Sequence, residues 1–145
     1  MSVINNITLK EIMTSHPELA KVIRSSIGLP TQEKIHQVLE SYKHSHHYLM
    51  GAFCHTQLIA VIGFQLLDDK KICLRHISVL PNLRKQKIGT LLIYALLRQY
   101  PDFSIHTETD EEAVGFYQKI GFICETYPSP HGVRYTCRFI PESSF

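Results

Sequence analysis

The sequence predicts an α/β (α+β) protein with a mixed, mostly antiparallel central sheet flanked by helices. From residue 48 onward, β-branched and aromatic runs alternate with segments of helical spacing in the order β-β-β-α-β-α-β-β. Residues 90–99 are apolar nearly all round, as is typical of a helix buried against a sheet. Residues 68–71, Asp-Asp-Lys-Lys, suit a hairpin turn between two strands. This order of elements predicts helices packed on a mixed sheet.

The composition limits the classes of protein to consider. The length of 145 residues suits a single domain, and we expect one domain over residues 1–145. The apolar content of 44% and charged content of 19% are those of an ordinary globular chain. The net charge of +2 is too small to indicate a nucleic-acid surface. No apolar run reaches the roughly 18–20 residues of a membrane span, so we expect no membrane partner.

The start of the sequence and its cysteines predict a cytoplasmic protein. The first residues, MSVINNITLKEIM, lack the charged start and apolar block of a signal peptide. The four cysteines, at positions 54, 73, 124 and 137, show no CxxC spacing. They are therefore expected to be reduced core residues and not metal ligands or disulfides. Cys124 and Cys137 would face each other on adjacent strands.

The N-terminal third predicts a strand or turn followed by two helices. Residues 3–7 suit a short edge strand, whereas 8–11 also has the form of a capping box, which would begin a helical turn. Ser15 would cap a first helix that ends near Gly28 and Pro30. Thr31 would begin a second helix. The apolar stripes of the two helices are Leu19, Val22 and Ile23, then Ile35, Val38, Leu39 and Tyr42.

A polar segment separates the second helix from the strands. Residues 43–47 include three histidines, His44, His46 and His47. A metal site is conceivable there, but a solvated linker is favoured because no carboxylate or cysteine lies nearby in sequence. Residues 48–54 and 57–67 then predict two strands joined by a turn at 55–56.

The most informative stretch is 72–90, ICLRHISVLPNLRKQKIGT. It predicts a buried strand over 72–80, ended by Pro81, then a cationic loop and a helix from about Thr90. The apolar phase slips between Leu74 and Ile77, which indicates a β-bulge or, alternatively, a strand buried on both faces. Free N–H groups at a helix start, with three cations before them, favour a phosphate site. A solvated basic turn is the competing interpretation.

The last third predicts a strand, a helix and a terminal pair of strands. The strand covers 103–107, and a capping box of Thr109 and Glu112 would begin the helix. Gly121 suits the left-handed position after that helix. Residues 123–127 and 133–140 would pair antiparallel around a loop at 128–132. The exposed terminal hairpin could pair between protomers, so a homodimer is one expectation.

Two motifs resemble those of the GNAT superfamily of N-acyltransferases, over residues 57–140. ISVLP (77–81) and RKQKIG (84–89) resemble the acyl-CoA motif (Arg/Gln)-x-x-Gly-x-(Gly/Ala) and the strand before it. Lys87 stands where the family usually has its first glycine. The second motif is Asn-x-x-Ala-x-x-Phe-Tyr-x-x-x-Gly-Phe, matched here, with Asp for Asn, by Asp110, Ala113, Phe116, Tyr117, Gly121 and Phe122. The resemblance implies the acyl-CoA N-acyltransferase (GNAT) fold.

The resemblance also implies an activity: transfer of an acetyl group from acetyl-CoA to a primary amine of a small molecule or protein, by direct attack in a ternary complex without a metal. Tyr117 falls on the family's tyrosine that protonates the leaving sulfur. Glu108 and His76 are candidate bases, and water is a third, because no carboxylate lies between residues 72 and 80. The residues expected to bind the cofactor are Ile77, Ser78, Val79, Arg84, Lys85, Gln86, Lys87, Ile88, Gly89, Thr90, Asp110 and Phe116.

Two other functions compete with this one. A non-catalytic acyl-CoA sensor on the same fold is favoured by Lys87 and by the missing strand carboxylate, and is opposed by the retained Tyr117. A nucleic-acid binder would use the loop cations, but the small net charge argues against it. The identity of the amine is not encoded in any motif that we can interpret.

Overall fold

The computed structural model describes residues 6–130 and 132–142. Within them, seven strands form one sheet in the spatial order β1-β2-β3-β4-β5-β7-β6. The strands are β1 (Ile7–Glu11), β2 (His47–Cys54), β3 (Gln57–Leu67), β4 (Lys71–Val79), β5 (Ser104–Asp110), β6 (Ile123–Ser129) and β7 (Gly132–Phe139). The helices are α1 (Leu19–Ile23), α2 (Gln32–Ser41), α3 (Ile88–Gln99) and α4 (Val114–Ile120), with short 3-10 turns at Arg24–Ser26 and Pro81–Leu83.

The predicted mixed, mostly antiparallel sheet is confirmed. Neighbouring strands are antiparallel except for β4 and β5, which run parallel. These two pair only from Lys71↔Ser104 to Cys73↔His106. Beyond that point the described part of β4 has no ladder to β5, which pairs instead with β7 as far as Asp110↔Arg134. The sheet therefore opens into a gap between β4 and β5.

The predicted bulge in β4 is confirmed. In the β3–β4 ladder Gly63 pairs with His76 and the next residue, Phe64, pairs with Leu74. Arg75 is therefore the extra residue, and the side chains after it change face. Beyond the bulge, Ser78 donates a hydrogen bond to the Val22 carbonyl of α1, whereas Ile77 lies on the side of α3.

The core lies on both faces of β3 and β4. Seven consecutive residues of β3, from Leu58 to Phe64, are buried. The helices α1 and α3 contact both strands, and α4 contacts β6 and β7. Residues Leu92, Ile93 and Leu96 of α3 are fully buried, as its apolar surface predicts. In the residues described, no helix is both long and apolar enough to span a bilayer.

Several predicted boundaries are wrong. The first helix begins at Leu19, after turns that include Ser15, and α3 begins at Ile88, two residues before Thr90. The segment 8–11 is strand and not a helical turn because it pairs with β2. The alternative strand at 3–7 lies mostly outside the described residues. The Thr31 cap is confirmed, since the Lys34 amide donates to its hydroxyl at 3.1 Å.

The predicted capping box of Thr109 and Glu112 is also wrong. Thr109 is buried inside β5, which pairs with β7 as far as Asp110. The Asp110 carboxylate accepts hydrogen bonds from the amides of Glu112 and Ala113, at 3.1 and 3.0 Å. An aspartate turn, not a threonine cap, therefore leads the chain from β5 towards α4.

The first terminal strand is longer than predicted, since it extends to Ser129, whereas the second runs from Gly132 to Phe139 and is shifted by one residue. The loop between them is shorter because Ser129 pairs with Gly132. Cys124 and Cys137 lie opposite each other in this ladder, as expected. All four cysteines are free thiols. β6 lies at one edge of the sheet. Pairing of this edge between two copies of the chain is untested, so the homodimer stays a prediction.

Candidate active site

Two cavities lie next to each other along β4. The first, the loop cavity, has a volume of 990 Å³ and lies between residues 77–79, the loop at 83–87, the start of α3 and α4. The second, the strand cavity, has a volume of 690 Å³ and is lined by residues 73–76 of β4, 106–108 of β5 and the facing side of β7. His76 borders one cavity and Ile77 the other, so the two cavities lie next to each other along β4, where β4 separates from β5.

Most of the residues predicted to bind the cofactor lie on one wall. Eleven of the twelve, all except Gln86, line the loop cavity. Arg84, Lys85 and Lys87 place three cations in front of the first turn of α3. A 12-residue helix with exposed cations at its N-terminus combines free amides, the positive end of the dipole and full charges. This wall can bind a phosphate or diphosphate.

Lys87 adopts the backbone conformation that a glycine would favour. It is the N-cap of α3 with φ 62° and ψ 21°, and Lys85 also has a positive φ of 68°. The left-handed region costs a non-glycine residue about 1–2 kcal/mol. Left-handed residues within such a loop turn successive N–H groups towards one point and form an anion-binding concavity. A lysine in place of the family's glycine at position 87 is therefore compatible with this loop conformation, and it adds a positive charge.

Gly89 allows α3 and α4 to approach each other. A Cβ atom added there would lie 3.3 Å from the ring of Phe116. Phe116 therefore closes one side of the loop cavity directly over the first turn of α3. Asp110 also lines this cavity, but its carboxylate is already hydrogen-bonded to the amides of Glu112 and Ala113.

Ser78 lines the loop cavity, and its hydroxyl is engaged in hydrogen bonds within the protein. Its hydroxyl donates to the Val22 carbonyl at 2.6 Å and is hydrogen-bonded to the Ser25 hydroxyl. These bonds hold α1 and the turn after it against β4. At residues 77–79 the edge of β4 that faces the gap forms no ladder with the described part of β5, whose pairing with β4 ends at Cys73.

Glu108 lies inside β5 and not at the strand end that we predicted. Its exposed carboxylate lines the strand cavity and accepts a hydrogen bond from the Tyr127 hydroxyl at 2.8 Å. Tyr127 on β6 thus fixes the direction of this acid across the face of the sheet.

His76 also lines the strand cavity, but it is a packed residue. Its Nδ1 is hydrogen-bonded to the Tyr42 hydroxyl at 2.5 Å. Burial, with a smaller contribution from the Arg75 guanidinium, lowers the pKa of His76 to about 4. The imidazole is therefore neutral at pH 7 and a weaker base than an exposed histidine.

His76 should make the fold acid-sensitive. Its folded pKa of about 4 lies below the ordinary value of 6.5, so between these values the unfolded chain binds a proton that the folded chain does not. This contribution to stability is fully present above pH 6.5 and is lost as the pH falls towards 4. We expect the urea-unfolding free energy to fall by about 2–3 kcal/mol more in the wild type than in His76→Gln between pH 7 and 4.5. Parallel pH profiles for the two proteins would contradict this assignment.

Tyr117 lies behind the gap. It is 5% exposed, and its ring packs edge-on against Phe116 and Phe122 at centroid distances of 5.0 and 5.2 Å. Burial raises the pKa of Tyr117 to about 12, against the opposing effect of a hydrogen bond with Thr107. Thr107 lines the strand cavity and donates to the Leu74 carbonyl of β4 at 3.1 Å. Thr107 therefore connects Tyr117 to the point where β4 and β5 separate.

Three residues that line the strand cavity were not predicted from the sequence: Thr107, Arg75 and Arg134. One signal for Arg134 was the alternation Arg134, Thr136, Arg138, which places three polar side chains on one face of a strand. Arg75 was recognisable only as the residue within the phase slip. At the histidines 44, 46 and 47, and elsewhere in the described chain, no group of three side chains could hold a metal ion.

Solved structures similar to this chain are acetyltransferases. An aminoglycoside 6′-N-acetyltransferase complexed with coenzyme A has a TM-score of 0.76 at 17% identity, over 92% of this chain and 96% of that one. A GNAT family acetyltransferase from Elizabethkingia anophelis with acetyl-CoA bound has a TM-score of 0.73 at 16% identity, over 94% and 99%. The ribosomal-protein-S18-alanine N-acetyltransferase from Escherichia coli has a TM-score of 0.74 at 17% identity, over 92% and 93%. These likenesses establish the fold.

The family is established by the sequence itself. A search of curated proteins finds no significant match. The model of the acetyltransferase (GNAT) family matches residues 13–122, which include the cationic loop, the start of α3 and the Phe116–Tyr117 pair. Since this match covers most of the chain, the resemblance predicted from the two motifs is confirmed, and the protein belongs to the acetyltransferase (GNAT) family of acetyl-CoA-dependent enzymes.

Proposed function

We propose that this chain transfers the acetyl group of acetyl-CoA to a primary amine by direct attack in a ternary complex. The observation that carries the proposal is the gap between β4 and β5, beside which a cationic cavity and a second cavity border adjacent residues of β4, Ile77 and His76. A donor bound in the loop cavity and an amine bound in the strand cavity would meet at this gap. No covalent enzyme intermediate is required.

The donor would be held by backbone and cations. Arg84, Lys85 and Lys87, with the first amides of α3, would bind the diphosphate. The free edge of β4 at residues 77–79 would pair with the amides of the pantetheine arm as a neighbouring strand would. A backbone N–H on that edge would also stabilise the negative charge that develops on the thioester oxygen.

Two proton transfers complete the reaction. The amine nitrogen attacks the acyl carbon as the carbon–sulfur bond breaks, so the nitrogen loses a proton and the sulfur gains one. We assign the protonation of the departing sulfur to Tyr117, whose buried hydroxyl keeps its proton at neutral pH until then. Glu108, fixed by Tyr127, is the better placed base because His76 is hydrogen-bonded to Tyr42. A reducing cytoplasm is the location that the free cysteines support.

A non-catalytic acyl-CoA sensor is the second candidate. The observation that favours it is that Tyr117 does not line either cavity in the described structure. A sensor would bind acetyl-CoA and release it unchanged with any amine, whereas an enzyme would produce free CoA in proportion to the acetylated amine.

Calorimetric titration tests the donor site. Acetyl-CoA and desulfo-CoA are both expected to bind in the micromolar range, since the cationic wall contacts the diphosphate and not the sulfur. The double variant Lys85→Asn/Lys87→Asn removes two charges yet tolerates left-handed backbone, so affinity should fall about tenfold at low salt. Lys34→Gln, on the exposed surface of α2, is the control and should bind as the wild type does.

The titration has two outcomes against the proposal. No heat of binding with either nucleotide at millimolar concentration would overturn the donor site altogether. Tight binding that is insensitive to the two lysines and to salt would exclude the cationic loop as the diphosphate site. Turnover with an amine panel, monitored by release of free thiol, then separates the enzyme from the sensor.

A further inference from the structure

The strand cavity, where the proposed function places the amine, carries more positive than negative charge. Three arginines line it, Arg75, Arg134 and Arg138, against a single carboxylate, Glu108. A cavity built only for a cationic amine would be expected to carry the opposite balance, because like charges disfavour binding.

Two of the three arginines form no ion pair with a carboxylate of the described residues. Arg138 donates to Glu125 at 3.4 Å, so its charge is matched. Arg134 lies directly opposite Asp110 in the β5–β7 ladder, but that carboxylate accepts from two amides at the turn before α4. In the described parts of the chain, 6–130 and 132–142, neither Arg75 nor Arg134 forms an ion pair.

The fold fixes the position of Arg75. It is the extra residue of the bulge, and its guanidinium lies 5.7 Å from the centre of the Tyr42 ring. Its charge is felt within the cavity, since it contributes to the lowered pKa of His76. Arg138 and Lys71 similarly contribute, after burial, to a lowered pKa of His106 on the same wall. With Arg138 paired to Glu125, the lining still has two arginines, Arg75 and Arg134, against the one carboxylate of Glu108, so its net charge is positive.

We infer that the acceptor is a small amine that also carries an anionic group, a carboxylate or a phosphate, which Arg75 and Arg134 bind while Glu108 faces the amine. This inference rests on the proposed function. The volume of 690 Å³ suits a small molecule. Paired N–H donors of an arginine match the oxygens of either anion. The net positive charge also favours the neutral, nucleophilic form of the amine, which reduces the need for a strong base.

Matched amines test the inference. Acetylation of γ-aminobutyrate would be compared with that of its amide, of 3-aminopropylphosphonate, and of the cationic amines spermidine and kanamycin. We expect kcat/KM to be about tenfold to a hundredfold higher for the anionic amines than for the matched amide. This preference should decrease with added salt because the arginines are partly exposed. The carboxylate and phosphonate arms show which anion is preferred.

Variants locate the preference. Arg75→Gln/Arg134→Gln should remove most of it, by lowering kcat/KM for the anionic amines about tenfold or more while the amide changes little. Lys34→Gln/Arg98→Gln, an equal loss of two charges on the exposed surfaces of α2 and α3, should keep the preference. Thermal unfolding of each variant checks that the fold is retained.

The possible outcomes distinguish a failure of this inference from a failure of the proposed acetyl transfer. Turnover that is equal or better with the amide, spermidine or kanamycin would overturn the anionic acceptor and leave acetyl transfer standing. A preference for anionic amines that survives the double variant would overturn the assignment to Arg75 and Arg134. Acetyl-CoA binding without turnover of any amine would overturn the proposed acetyl transfer, and this inference with it.

Discussion

Replacing Tyr117 by phenylalanine is expected to lower kcat by about a hundredfold or more and to leave the affinity for acetyl-CoA nearly unchanged. The substitution removes one oxygen atom from a side chain that lines neither cavity. The departing thiolate would then take its proton from water, and a positioned acid of this kind typically contributes a factor of 10²–10⁴. Binding depends on the loop cavity and should persist.

The fold should tolerate this substitution. The ring contacts with Phe116 and Phe122 remain, and the loss is a hydrogen bond with Thr107. Such a loss costs about 1 kcal/mol of unfolding free energy. The measurement is a single-turnover rate with saturating acetyl-CoA, so that slow product release does not hide the chemical step.

The control for Tyr117→Phe is the same substitution at a second tyrosine, Tyr100. Tyr100→Phe removes the same atom from a half-buried side chain that packs against Phe64 and Phe103, away from both cavities. Its single-turnover rate should equal that of the wild type. If Tyr117→Phe also retains a rate within about threefold of the wild type, solvent is the proton donor and Tyr117 is only a packed aromatic residue.

The local part of the site could be predicted from the sequence. A strand ending in proline, a phase slip and three cations before a helix are features of neighbouring residues, and they gave β4, its bulge and the loop. The extension of β5 to Asp110 could not be predicted, because it depends on pairing with β7, about thirty residues later in the sequence. Thr109 and Asp110 are both residues that can begin a turn. The pairing of β5 with β7 keeps Thr109 in the strand, so that the turn begins at Asp110.

The strand cavity was beyond sequence reasoning for the same reason. Its charged residues come from β4, β5 and β7, and only the sheet order brings them together. The single carboxylate Glu108 was found because it directly follows the strand predicted over residues 103–107. The arginines were not, because the facing register of Arg134 and Asp110 requires the completed ladder.

Gly63→Ala is expected to destabilise the fold by about 2–4 kcal/mol, because the space beside Gly63 is filled by Tyr42. A Cβ atom at this position would lie 2.2 Å from the hydroxyl oxygen of Tyr42 and 2.5 Å from the ring carbon that bears it. Tyr42 is 6% exposed and its hydroxyl is hydrogen-bonded to His76, so the ring cannot move without losing burial and that bond.

The comparison for Gly63 is Gly115→Ala in α4, where an added Cβ would meet nothing within 4 Å. That variant should be more stable than the wild type by about 0.5–1 kcal/mol, since alanine has the higher helix propensity. Urea unfolding of both variants measures the two changes in unfolding free energy, which should have opposite signs.

A double-mutant cycle of Gly63→Ala with Tyr42→Ala should show strong non-additivity, because removing the ring removes the collision. Additive effects, or a neutral Gly63→Ala, would mean that Tyr42 does not occupy this space. The His76 wall of the strand cavity would then lack the support that its hydrogen bond to Tyr42 implies.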